Sequence, residues 1–186
     1  MDIGFLFTKV LAIVTLFGNA FILALFLAFF IARPMYEFIM RQMGRHALML
    51  GFLLSLSSTV GSIVYSQVLG FPACILCWIQ RLCMYPLLFV FGFALFRREN
   101  KEKYIMPSAM LLSLLGGAVA LYQWVKDMLA LYGGLTIPCP AVSALPSCDK
   151  IYVLEYGYIT IPMIALNAFI LIALVLYAGL KKPSHD

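Results

Sequence analysis

Charge is what this chain has least of: Asp, Glu, Lys and Arg make up 11% of its 186 residues, against 64% hydrophobic, with a mean hydropathy of +1.00. A domain in water has no means of hiding that much apolar surface, so a soluble globular protein is excluded. The chain also lacks internal repeats, low-complexity tracts and any composition break that would mark a second domain. It lacks the signature of a cleavable signal too, because it begins Met1-Asp2 and its first apolar run, residues 5–31, is long. That run is expected to be a retained helix. The net charge of +5 does not point to a polyanion, since basic residues in so apolar a chain set membrane orientation, and no nucleic-acid partner is expected.

What is present is a series of apolar runs, roughly residues 5–31, 47–69, 74–96, 104–128 and 158–180, each long enough to cross about 30 Å of hydrocarbon. The fold class is therefore all-α, a polytopic membrane helix bundle. Gly51, Ser55, Ser58, Gly61 and Ser62 in the second run, and Gly116-Gly117 in the fourth, are small residues that let helices approach closely in lipid. Tyr122 and Trp124 read as an interfacial aromatic belt or, alternatively, as the lining of a ligand cleft, and Asn167 as a bond to a neighbouring helix rather than to a substrate. Residues 130–157 form the only long loop, and residues 33–45 read as a short basic one.

Nine of the 13 Lys and Arg residues fall on one side: Arg33, Arg41 and Arg45, then Arg97, Arg98, Lys101 and Lys103, then Lys181 and Lys182. The positive-inside bias makes that side cytoplasmic, with the N-terminus outside and the tail, residues 181–186, inside. The cysteines then sort themselves. Cys74 and Cys77 open the third run, and Cys139 and Cys148 lie in the long loop, so both pairs stand on the outer, oxidising side. Cys83 lies inside a helix, where a free thiol packs as a small apolar residue.

The string Cys74-Ile75-Leu76-Cys77-Trp78-Ile79-Gln80-Arg81 is the centre of this arrangement. Pro72 stands just ahead of it, so the helix is expected to start near Cys74. Steps of i,i+3 and i,i+4 then put Cys74, Cys77 and Arg81 on one face within two turns. Unpaired N–H groups at a helix start and a guanidinium one turn away both favour thiolate. A relay by thiol–disulfide exchange needs two pairs that can meet, one fixed and one on a flexible loop. Arg81 lies about 10 Å along the helix from Cys74, a depth at which it either snorkels to the interface or stabilises the Cys77 thiolate and donates to a lipid-soluble acceptor such as a quinone.

These residues, followed by a loop carrying Cys139 and Cys148 and a final helix, resemble the DsbB family of disulfide-bond formation proteins, nearer its short BdbC-like branch. The resemblance covers about residues 47–180. It implies a four-helix redox core over 47–180, with one additional transmembrane helix and the basic loop in residues 1–46. It further implies a thiol:quinone oxidoreductase of a bacterial cytoplasmic membrane, using ubiquinone or menaquinone and reoxidising a soluble DsbA-like partner of thioredoxin fold. By the same resemblance Cys139 forms the mixed disulfide with that partner, Cys148 exchanges with Cys74, Cys77 faces the quinone, and Arg81 holds it with help from Gln80. Three features depart from the family: the leading helix, the close spacing of the loop pair, and Cys83. The rival readings are a vitamin K epoxide reductase-like enzyme, which would have the two pairs in the reverse order, a carrier passing reductant outward, and a non-enzymatic zinc-binding or disulfide-bonded scaffold.

Overall fold

The computed structural model describes residues 3–97, 102–135, 137, 146, 148 and 150–181. Six α-helices account for most of them: α1 (Ile3–Ile31), α2 (Arg33–Arg45), α3 (Ala47–Ile63), α4 (Ile75–Arg97), α5 (Glu102–Tyr132) and α6 (Ile161–Leu180). A π-helical segment, Val64–Val68, continues α3. Five of these helices are long and apolar enough to span a membrane: Gly4–Ile31, Ala47–Val68, Ile75–Phe96, Ile105–Tyr132 and Ile161–Leu180.

The sixth corrects the expectation of a basic loop at 33–45. Pro34 sits in the first turn of α2, and the i,i+4 series Arg33, Glu37, Arg41 and Arg45 keeps the charge on one exposed face. Met40, Met43 and Gly44 are buried on the other. Phe38 and Met35 remain exposed beside the charges, the pattern of a helix lying in a membrane interface. The reading as a loop failed because thirteen residues are too short for a span, whereas an amphipathic helix needs only two or three turns.

Small residues set the helix contacts. A Cβ on Gly116 would stand 2.3 Å from the ring of Phe169, so α5 and α6 touch there through bare backbone. Gly51 likewise faces the ring of Phe91 and joins α3 to α4, while Gly44 of α2 lies against the Ala178 carbonyl of α6. Between these contacts sits the main core, centred on the fully buried Leu87, Phe91, Phe169, Ile172 and Leu176. Cys83 packs into that core as a free thiol, as expected. Helix α1 lies against α6 and α2. There Asn167 donates to Asn19 at 2.7 Å, the interhelical bond anticipated for Asn167.

The ends of α3 and α5 and the starts of α4 and α6 meet around Cys74, Cys77 and Cys148, at the opposite end of the bundle from Arg33, Arg41, Arg45 and Lys181. Two expected boundaries move at this end. Helix α5 runs on to Tyr132, one turn beyond 128, and α6 begins at Ile161 rather than 158. The reason for the second is a tight turn, in which Glu155 and Ile159 exchange backbone hydrogen bonds of 2.9 Å around Tyr156 and Gly157, both at positive φ. Trp124 holds this turn from α5 by donating to the Tyr158 carbonyl at 2.9 Å, and Tyr132 donates to the Gly157 carbonyl at 2.7 Å. Trp124 therefore anchors the loop instead of serving only as an interfacial ring. A stack of Tyr65, Phe71 and Tyr152, with centroids 6.0 and 5.1 Å apart, ties the same loop to the α3–α4 connection.

Candidate functional site

Cys74 occupies the position just before α4, where its carbonyl accepts the Trp78 N–H at 3.1 Å. Cys77 follows on the first turn, and the two sulfurs are 3.3 Å apart as free thiols. The Cys74 thiol is lowered to about 6, first by the hydrogen bond from Cys77 and then by the backbone N–H groups of the helix start, against the opposing effect of burial. The donors thus converge on Cys74, whereas the sequence had pointed to Cys77 as the thiolate. An N-cap sulfur is the one that the free N–H groups reach; a sulfur one turn further in is not.

Cys148 is disulfide-bonded and buried. It forms one small apolar cluster with Cys74 and Leu76, and Cys77 and Val119 pack against that cluster. The loop cysteine and the helix pair are therefore already neighbours. Cys139 lies outside the described residues.

Two residues that sequence reasoning passed over hold this cluster from α5. Gln123, 5% exposed, points its amide nitrogen at both sulfurs, 3.7 Å from each, and its carbonyl oxygen accepts from Gln80 at 2.8 Å. Lys126, equally buried, donates to the Cys148 carbonyl at 2.9 Å. A signal for them existed: Gln123, Lys126 and the buried Asp127 stand at i, i+3 and i+4 in an otherwise apolar span, where polar groups are costly unless used. Gln80, anticipated as an aid to Arg81, lines the cavity and donates to the Gln123 carbonyl oxygen.

Arg81 turns toward α3. Its Nε donates to the Ser62 hydroxyl at 2.8 Å and an Nη to the Ser62 carbonyl at 3.1 Å, with the guanidinium 5.2 Å from the Trp78 ring. The carbonyl it uses lies at the end of α3, where the backbone passes into the π-helical segment, a distortion that recurs at functional sites. Behind these groups lies a cavity of about 240 Å³, reached by Cys77, Gln80, Arg81, Gln123 and Cys148 and lined elsewhere mostly by apolar side chains, with Ser62, Asp127, Thr160 and Asn167 among the polar exceptions. The Thr160 hydroxyl at its edge is buried and makes no hydrogen bond among the described residues.

The sequence that builds this site has relatives among known proteins. The family model described as "Disulfide bond formation protein DsbB" matches residues 44–180. The chain belongs to the DsbB family. It is 34% identical over 122 residues to "Disulfide bond formation protein C" of Bacillus subtilis (strain 168), covering 65% of this chain and 83% of that relative. It is 36% identical over 145 residues to a "Probable disulfide formation protein" of Chlamydia caviae, covering 76% and 98%. A protein described in the same words from Coxiella burnetii (strain CbuK_Q154) is 31% identical over 139 residues, covering 74% and 90%. No solved structure matches the chain. As a DsbB-family member this is a multi-pass membrane protein of disulfide-bond formation, and α1 precedes the matched region.

Proposed function

We propose that the protein is a thiol:quinone oxidoreductase that reoxidises a soluble, extracytoplasmic thioredoxin-fold oxidase of the DsbA type. The observation that carries the reading is the burial of Cys148 against Cys74, beside a cavity that Cys77 and Arg81 both reach. In this reading Cys139 takes the mixed disulfide with the reduced partner. The partner's dithiol gives two electrons and two protons to the loop disulfide, leaving the partner oxidised and Cys139 and Cys148 as thiols. Cys148 then attacks the Cys74 sulfur of an oxidised Cys74–Cys77 pair and releases Cys77, and Cys139 attacks Cys148 in turn, which restores the loop disulfide and leaves Cys74 and Cys77 reduced. One S–S bond breaks as another forms at each exchange, so electrons and protons balance.

The helix pair returns to its disulfide by giving up two electrons and two protons, which a quinone accepts when bound. The cavity fits such a group: it is largely apolar, it reaches from the cysteines into the membrane-spanning helices, and it offers an unpaired hydroxyl at Thr160 and guanidinium N–H groups beyond those used on Ser62. Arg81 and Gln80 would hold it. The chain's own contribution lies in the low proton affinity of Cys74, the amide of Gln123 across both sulfurs, and the exclusion of water by the loop anchored at Tyr152 and Trp124.

Membrane orientation belongs to the same proposal: the cysteine end faces outward from the bacterial cytoplasmic membrane and the basic end inward. The test is quinone absorbance with purified protein and a reduced thioredoxin-fold oxidase. Consumption is expected from the natural protein and not from Cys77→Ala or Cys139→Ala. Consumption that survives either change would refute the relay, and none with ubiquinone or menaquinone analogues would refute the quinone.

A further inference from the structure

Helix α1 lies outside the region that matches the family, yet it is docked as part of the site. At the cysteine end, Lys9 forms an ion pair with Glu155 of the outer turn at 2.6 Å. Ten residues along, about 15 Å deeper at 1.5 Å per residue, Asn19 accepts from Asn167 of α6 at 2.7 Å. Gly18 makes that approach possible, because a Cβ there would stand 2.3 Å from the Asn167 oxygen. A helix serving only to tether the chain to lipid has no need of polar contacts at two heights. Between the two anchors, Leu11, Val14 and Thr15 line the same cavity that Cys77 and Arg81 reach. Leu11 lies across from Gly61 of α3 and Asn19 across from α6, so α1 covers the groove between those two helices. Thr15 is 3% exposed and spends its hydroxyl on the Leu11 carbonyl at 2.8 Å, so the wall it adds makes no polar demand on a ligand.

We propose that α1 is the lipid-side wall of the redox cavity, and that the apolar body of a lipid-soluble electron acceptor rests on Leu11 and Thr15 while its polar end meets the α4 residues. This rests on the quinone reading above. It assigns to the additional helix the choice of which acceptors enter from the bilayer: a bulkier wall narrows the cavity, and a shorter side chain widens it.

The experiment compares Leu11→Trp and Thr15→Met, which fill the wall, with Val10→Trp, which introduces the same side chain at a half-exposed position outside the cavity lining. The first readout is alkylation of Cys77 by N-cyclohexylmaleimide in liposomes, followed by peptide mass spectrometry, which needs no quinone turnover. The expected result is slowing of about tenfold in Leu11→Trp and a smaller slowing in Thr15→Met, the larger factor being what about 1.4 kcal/mol of lost access produces. Val10→Trp should match the natural protein. The second readout is the KM for a short-chain quinone, expected to rise in the wall variants at unchanged kcat. Equal alkylation of Cys77 in all four proteins overturns the wall, and two independent wall variants guard against misfolding of one. If the natural protein reduces no quinone, the oxidoreductase reading fails, while the alkylation contrast still decides whether α1 closes the cavity.

Discussion

The helix pair illustrates how much chemistry a one-turn difference in position carries. Cys74, at the N-cap, collects the free backbone N–H groups and the Cys77 hydrogen bond, and its thiol is lowered to about 6. Reduced Cys74 is therefore mostly thiolate at pH 7, and its alkylation rate should rise through pH 6 and level off above it. In Cys77→Ala the largest stabilising contact is gone, so the midpoint should move up toward the ordinary cysteine value. A stopped-flow iodoacetamide profile of the two proteins checks both statements. Gln123 gives a second residue-scale expectation. Gln123→Leu leaves the buried Gln80 amide without its acceptor and should cost about 1–3 kcal/mol, whereas removing both partners in Gln80→Met/Gln123→Leu should restore most of it. Unfolding in mixed micelles, read as a double-mutant cycle, measures the difference.

Among the helices, contact through glycine is the main organising device. In lipid no hydrophobic force drives helix against helix, so close packing and the rare interhelical hydrogen bond decide which faces meet. Gly116 and Gly117 are adjacent but not equivalent. A methyl group on Gly116 would meet the Phe169 ring at 2.3 Å, whereas one on Gly117 finds the Phe169 Cβ at 3.4 Å, an ordinary contact. Gly116→Ala should therefore destabilise the α5–α6 pair by about 1–3 kcal/mol, with Gly117→Ala close to neutral, measured by thermal unfolding in detergent. The tight turn from Glu155 to Ile159 belongs to the same scale. Trp124 and Tyr132 reach it from α5, Tyr152 just before it stacks on Phe71 of the α3–α4 connection, and Lys126 donates to the Cys148 carbonyl. These contacts give the loop cysteine a fixed approach to Cys74.

For the molecule as a whole, the two ends have opposite chemistry: cysteines, aromatic stacks and the Lys9–Glu155 pair at one, exposed arginines at the other. The positive-inside bias predicts which end faces out. In spheroplasts, a cysteine introduced as Tyr156→Cys should react with a membrane-impermeant maleimide, and one introduced as Arg41→Cys only after permeabilisation. The reverse pattern would place the redox centre in the cytoplasm and remove the case for an extracytoplasmic partner.

The sequence by itself determined the class of protein, the number of spans and the location of the cysteine pair at a helix start. Each of these depends on local quantities: the length of an apolar run, the position of Pro72 before Cys74, and the spacing of residues along one helix. Only the tertiary structure decided that Gln123 and Lys126 reach the cysteines, that Arg81 turns to Ser62, and that α1 borders the cavity. Each of those is a contact between residues 19 or more positions apart, fixed by which helix faces touch, and no periodicity along the chain records it. Helix α2 falls between the two cases. Its i,i+4 charge series was legible, but that thirteen residues stand as a helix follows from burial of its other face, with Met40 and Met43 in the main core and Gly44 against the Ala178 carbonyl of α6.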